Sequence, residues 1–151
     1  MKLTALMRFN VAVAAPIEVG PTPTGLRMVA NITGGAFDGE RLTGRIHASG
    51  ADWILVDQTG MGRVDVRIVL ETHDGANIYV TYGGLLELNE RFGQATASGG
   101  ETRIGELYLM THLRFETGDP RYQWLNQLLA VGEGRVVPGG IEYQVYELQH
   151  G

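Results

Sequence analysis

Val64-Asp65-Val66-Arg67-Ile68-Val69-Leu70-Glu71-Thr72, running into His73-Asp74-Gly75, is the stretch that decides the fold. Apolar and charged side chains alternate with period two and then meet a glycine turn. That is the signature of a strand with one buried face entering a hairpin. Arg63, Asp65, Arg67, Val69 and Glu71 fall on one side, and Val64, Val66, Ile68, Leu70 and Thr72 on the other. The charged side either faces water or lines the lumen of a ligand-holding barrel, and parity alone does not choose.

The same pattern recurs along the chain. It predicts strands at residues 3–14, 27–33, 42–48, 53–57, 63–72, 77–82, 104–116, 130–136 and 141–148. Gly34-Gly35, Gly60-Met61-Gly62, Asp74-Gly75, Gly83-Gly84 and Gly139-Gly140 read as the turns between them. Residues 85–100 read as irregular, ending in a mobile loop at Ala97-Ser98-Gly99-Gly100. One helix is expected at 120–129, where Tyr122, Leu125 and Leu129 share a face and Asp119-Pro120 supplies the start. About nine consecutive strands with almost no helix leave a sandwich or a closed barrel. Long, hairpin-connected strands favour the barrel, and ~8 strands make one wide enough for a small ligand. The expected fold is all-β: a single antiparallel β-barrel over 1–151, calycin- or lipocalin-like, with one short helix near the C-terminal third.

Composition narrows the function. The 44% apolar and 19% charged content of the 151 residues is that of a globular protein with a real core. The 22 glycines favour many short strands over helices. A net charge of −5 with 12 scattered basic residues argues against nucleic acid as a partner. No stretch approaches the ~20 apolar residues of a helical membrane span, and the opening Met1–Met7 reads as a strand rather than a signal peptide. The absence of cysteine removes thiolate chemistry and fits a reducing, cytoplasmic setting. Long strands with exposed apolar surface point to a homodimer.

The candidate chemistry sits on strands. Asp52, between small residues and Trp53, either caps a turn after Gly50 or acts as a base whose pKa an apolar pocket raises. His112 shares a strand face with Tyr108, Met110, Arg114 and Glu116, which makes it a proton-shuttle candidate beside its reading as an exposed or structural histidine. Tyr79 and Tyr82 point to opposite faces, so at most one lines a lumen. His47, His73, His112 and His150 show no metal-ligand spacing, and Ser49 and Ser98 lie in glycine-rich loops without a nucleophile elbow. Acid–base chemistry without metal or cofactor is what remains.

At Gly34-Gly35-x-Phe37-x-Gly39, Gly50-Ala51-Asp52-Trp53, Asp65-x-Arg67, Thr72-x-Asp74-Gly75, Ile78-Tyr79 and Phe115-Glu116-Thr117-Gly118 with Trp124-Leu125-Asn126, the chain resembles the domain-of-unknown-function family 3237. The resemblance runs from the first strand to Tyr143-x-Val145-Tyr146. It implies a β-barrel and no single activity, and it points to Asp52, Trp53, Asp65, Arg67, Thr72, Asp74, Glu116, Trp124 and Asn126. Two departures stand out. Met110 and Leu113 replace the family's usual arginine and proline, and Asp57 stands where a basic residue is common.

The resulting expectation is a cofactor-free lyase, isomerase or cyclase acting on a small aromatic or carbonyl-bearing molecule. Asp52, Glu116 or His112 would move the proton, and Arg67 with a tyrosine would stabilise oxyanion charge. Trp53, Asp65, Tyr79, Tyr82, Met110, Trp124 and Asn126 would contact the ligand. The alternative is a carrier barrel that binds a small molecule without turnover.

Overall fold

The computed structural model describes all 151 residues. Ten strands form one antiparallel sheet: β1 (Lys2–Val13), β2 (Ile17–Thr22), β3 (Gly25–Asp38), β4 (Thr43–Ile46), β5 (Ala51–Val56), β6 (Met61–Thr72), β7 (Asn77–Glu87), β8 (Leu109–Glu116), β9 (Ala130–Val137) and β10 (Gly140–Gln149). Neighbours run β1-β10-β9-β8-β7-β6-β4-β3-β2, and β5 bridges β6 and β3 where β4 has ended. Pairing of β1 with β3 closes the barrel. Closure leaves most strands without a free edge, so their backbone donors and acceptors are met within the sheet.

The decisive strand resolves as core inside and charge outside. Val64, Val66, Ile68, Leu70 and Thr72 are buried, whereas Arg63, Asp65 and Arg67 are exposed. β8 does the same, with Leu109, Thr111, Leu113 and Phe115 inward and Met110, His112, Arg114 and Glu116 outward.

Four expectations differ from the structure. Gly34-Gly35 and Gly83-Gly84 are mid-strand rather than turns, because β3 and β7 run through them. Gly34 and Gly35 hold φ of 145°, and a Cβ on Gly35 would collide with the Asn10 carbonyl of β1. These glycines serve strand crossing. Second, Ile17–Thr22 is an edge strand on β3, interrupted by Gly20-Pro21 and with Ile17 and Val19 exposed, so the alternation there carries no burial signal. Third, the expected loop holds an α-helix, α1 (Glu90–Ser98), capped by Asn89 accepting from the Phe92 amide and ended by Gly99 in the left-handed region. Last, β8 starts only at Leu109, the stretch before it being turn.

The barrel has two unlike ends. At one end, Leu125 from a 3₁₀ segment (Pro120–Gln127) is fully enclosed with Leu42, Leu70 and Ile78. This segment is the expected C-terminal helix, wound more tightly. It is held by the side chains that the family pattern names. Asn126 accepts from the Thr117 amide (2.8 Å) and donates to its carbonyl (2.9 Å). The Tyr122 hydroxyl donates to Asp74 (2.8 Å), which also receives the Thr72 hydroxyl (2.6 Å). The Arg41 guanidinium lies 3.5 Å from the Trp124 ring centroid and meets Glu147 at 3.6 Å. Leu125→Ala should therefore cost about 2–5 kcal/mol, measured by urea unfolding, because truncating a fully buried side chain leaves a void in the core.

At the other end the interior is open. Leu26 and Met28 of β3 and Ile54 and Val56 of β5 follow the inward parity of buried Ala30, yet all four are only half-buried. α1 roofs just part of this end, with Phe92 and Ala95 packed on the core. The rim side chains of β3 and β5 are in contact with solvent.

Candidate functional site

Asp52 faces into this open half. It stands opposite Val66 on β6 and Ala30 on β3, both inward and buried, and directly opposed residues in antiparallel strands share a face. Gly50 makes the placement possible. Its φ of 87° turns the chain into β5, and a Cβ there would collide with the Arg67 carbonyl. Beyond Asp52 the β5–β6 pairing lapses at Trp53 and Ile54 and resumes at Leu55↔Arg63. Side chains occupy backbone groups near the gap. Asp52 Oδ1 accepts the Asp65 amide (3.1 Å), and Arg27 donates to the Trp53 carbonyl (2.7 Å). Asp52 thus serves neither as a cap of its own turn nor as a free carboxylate, since one oxygen is anchored to the barrel wall.

Three aromatic rings complete the belt at this level. Phe9, Tyr82 and Tyr143 pack mutually with centroids 5.1–5.8 Å apart. Tyr82 stands opposite Val66 and Tyr143 opposite Phe9. Gly134, opposite Tyr143, leaves the room the ring needs: a Cβ there would lie 2.8 Å from it and 2.6 Å from Leu109. Burial raises both phenol pKa values; Tyr143 and then the Asp52 charge raise that of Tyr82 further, and the Asp52 charge that of Tyr143. The same surroundings hold the Asp52 carboxyl up at about 7. Its burial is the largest cause, the Asp65 amide works against it, and the Asp65 carboxylate adds repulsion. The result is a carboxyl that exchanges a proton near neutrality beside two phenols that stay protonated.

The residues expected from sequence to form one pocket separate into three places. Asp52 and Tyr82 face the interior. Trp53, Asp65 and Arg67 lie on the outer wall, where the Arg67 guanidinium sits 5.3 Å from the Trp53 ring centroid. The indole therefore does not form the apolar wall beside Asp52. Tyr79, Met110, His112 and Glu116 are also outward and exposed, with His112 lying over Gly83. Trp124 and Asn126 belong to the closed end. The common reason is parity: Asp52 and Trp53 are adjacent and must point apart, as must Val66 and Arg67. Two side chains of the belt were missed, Tyr143 and Phe9. Tyr143 sits in the alternation Ile141, Tyr143, Val145, a signal present in the sequence but one that shows burial rather than chemistry. Asp57, the departure from the family pattern, ties the β5–β6 turn together by accepting from the Thr59 and Met61 amides and from Arg63. No three His, Asp or Glu side chains gather where they could share a metal ion.

The family described as "Protein of unknown function (DUF3237)" matches residues 1–148. The chain belongs to this family. A UPF0311 protein of Rhodopseudomonas palustris strain TIE-1 is 35% identical over 120 residues, covering 76% of this chain and 75% of that protein. A solved β-barrel-like protein from Acinetobacter baumannii AYE is 36% identical with a TM-score of 0.83, covering 98% of this chain and 96% of that one. The PR-toxin biosynthesis cluster protein 7 of Penicillium roqueforti is 28% identical over 138 residues, 78% of this chain and 74% of that protein. A solved structure described as an enzyme from Penicillium herquei shares the fold, with a TM-score of 0.71 at 20% identity over 98% of this chain and 94% of that one. The β-barrel is thus a property of the family. No helix here is long and apolar enough to cross a membrane.

Proposed function

We propose that the open half of the barrel is the active site of a cofactor-free acid–base enzyme, a lyase, isomerase or cyclase, acting on a small aromatic or carbonyl-bearing molecule. One observation carries this reading: an inward carboxyl held near neutral pKa, anchored through one oxygen, beside two buried phenols. A base works best when its pKa lies near the working pH. Asp52 takes a proton from the bound molecule through its second oxygen and returns it at another atom. Tyr143 and Tyr82 donate their O–H groups to the oxygen on which negative charge grows, the role expected of Arg67 before the outer wall claimed it. The membership of a 28%-identical relative in a toxin biosynthesis cluster, and the existence of an enzyme on this fold, agree with a catalytic use of such a barrel.

A second reading rests on a different observation. A barrel sealed at one end and lined at the other by half-buried Met28 and Ile54 would equally hold a ligand without changing it. Screening for proton exchange or isomerisation in a library of small ketones and phenols separates the two. The enzyme reading predicts turnover lost in Asp52→Asn and unchanged in Arg67→Gln and His112→Gln. Binding without turnover would leave the carrier. Loss of turnover in the two outer-wall variants, with Asp52→Asn unaffected, would move the site to the outside of the barrel.

A further inference from the structure

Every positive charge in this protein can be located, and none faces the open half of the barrel. Arg8, Arg45, Arg63, Arg67 and Arg114 occupy outward, exposed strand positions. Arg27 and Arg135 are half-buried but also outward, bonded to the Trp53 carbonyl and to Glu142. Arg91 lies on α1 itself but is turned onto Glu106 and the Glu101 carbonyl, with Arg103 on the same Glu106, while Lys2 and Arg121 lie at the closed end, where Arg41 covers Trp124. With these, all 12 basic residues are placed. Of the histidines, His47 and His112 lie outward against Asn77 and Gly83, His73 is in a turn, and His150 follows β10. The interior at the open end instead offers one carboxyl, two phenols, the Thr111 hydroxyl turned to the Gly132 carbonyl, and apolar walls.

Resting on the reading that ligands enter this half of the barrel, we propose that the site selects uncharged molecules carrying a carbonyl or hydroxyl oxygen and turns away organic acids and phosphates. An anionic group brought to this depth would meet Asp52 with no cation to offset the repulsion or the loss of its hydration. A cation would meet one carboxylate, but the walls it must pass are Leu26, Met28, Ile54 and Val56, which replace none of its water. A neutral oxygen has partners on both sides. The phenols donate to it, and the Asp52 carboxyl either accepts its hydrogen or gives one, depending on its own protonation. The outer wall has the opposite character, with Arg67 exposed over the Trp53 ring and able to attract acids. Binding must therefore be read from inside the barrel rather than from bulk affinity.

The test is a matched series on one aromatic frame: 2-acetylnaphthalene and 2-naphthol as neutral probes, 2-naphthoate as the anion, and protonated 2-naphthylmethylamine as the cation. Each is titrated into the intact protein at neutral pH, and occupancy is followed through the NMR ring signals of Tyr82 and Tyr143. Both neutral probes should bind at least about tenfold more tightly than either charged one, a gap of about 1.4 kcal/mol. Asp52→Asn should narrow the deficit of the naphthoate. If the naphthoate or the ammonium perturbs these tyrosines at concentrations equal to or below the neutral probes, the charge selection is wrong while ligand entry stands. If no probe perturbs them, ligand entry itself is wrong and the selection falls with it. Should Asp52→Asn fail to fold, the ranking in the wild-type protein decides alone.

Discussion

Asp52→Asn should be more stable than the wild-type protein at pH 8, by up to about 4 kcal/mol, and the advantage should vanish towards pH 3.5. The sign follows from linkage. The carboxyl is held at about 7 in the folded protein, against an ordinary value of 3.8. Between those values the folded state keeps a proton that the unfolded chain has released, so stability falls as pH rises. The stabilisation is complete below the unfolded value and is lost as pH climbs through the folded one. At about 1.36 kcal/mol per pKa unit, the full span from 3.8 to about 7 sets the upper figure. Asparagine is neutral throughout and keeps an oxygen for the Asp65 amide. Asp57 and Asp119, both held at about 2, work in the opposite sense and only at acid pH. They are common to both proteins and cancel in the difference. Urea unfolding of the pair from pH 3.5 to 8.5 measures it. A difference that stays constant across this range would mean that Asp52 titrates as an ordinary surface carboxylate.

The second large effect is on turnover. For any molecule the protein converts by proton transfer, Asp52→Asn should lower kcat by roughly 10²–10⁴-fold. Wild-type kcat should rise with pH and level off above about 7, as the base becomes ionised. Tyr143→Phe should keep the ring packing against Phe9 and remove only the hydroxyl, lowering kcat by roughly 10²-fold if that hydroxyl meets the developing oxyanion. A larger rise in KM than fall in kcat would instead make Tyr143 a group that binds the ground state.

The fold was open to reading because its signal is local and repeated. Alternation along 63–72 separates two faces without saying which one is inside, and the same pattern in the other long strands makes closure the economical choice. The mid-strand glycines were opaque for the converse reason. Gly35 and Gly84 answer to the backbone of a neighbouring strand, Asn10 in one case and Met110 in the other, and neither neighbour is near in sequence. The helix α1 has nine residues with Gly93 inside and only Ala95 buried, too little periodicity to show.

The site divided along the same line. Asp52 was legible as an ionisable residue set among small and apolar ones. Its partners were not, since Tyr82 and Tyr143 come from β7 and β10 and look like core tyrosines until the barrel brings them to β5. Charge on a strand proved a poor guide to chemistry. Arg67, His112 and Glu116 attracted notice for being ionisable, and parity places each on the outer wall. Two of the motifs that carry the family resemblance, Thr72-x-Asp74-Gly75 and Trp124-Leu125-Asn126, seal one end of the barrel. They maintain the fold that presents Asp52 and touch none of the interior belt.

Any acid–base chemistry in this barrel requires the Asp52 carboxyl to be an interior group that exchanges its proton near neutrality beside the two phenols. Carbon-13 NMR of the aspartate carboxyl signals across pH 3 to 9 reads this directly. One carboxyl, absent from the spectrum of Asp52→Asn, should titrate with a midpoint near 7, and the Tyr82 and Tyr143 ring signals should shift with that same midpoint. A midpoint near 4 for Asp52, with the two tyrosines unmoved, would contradict it.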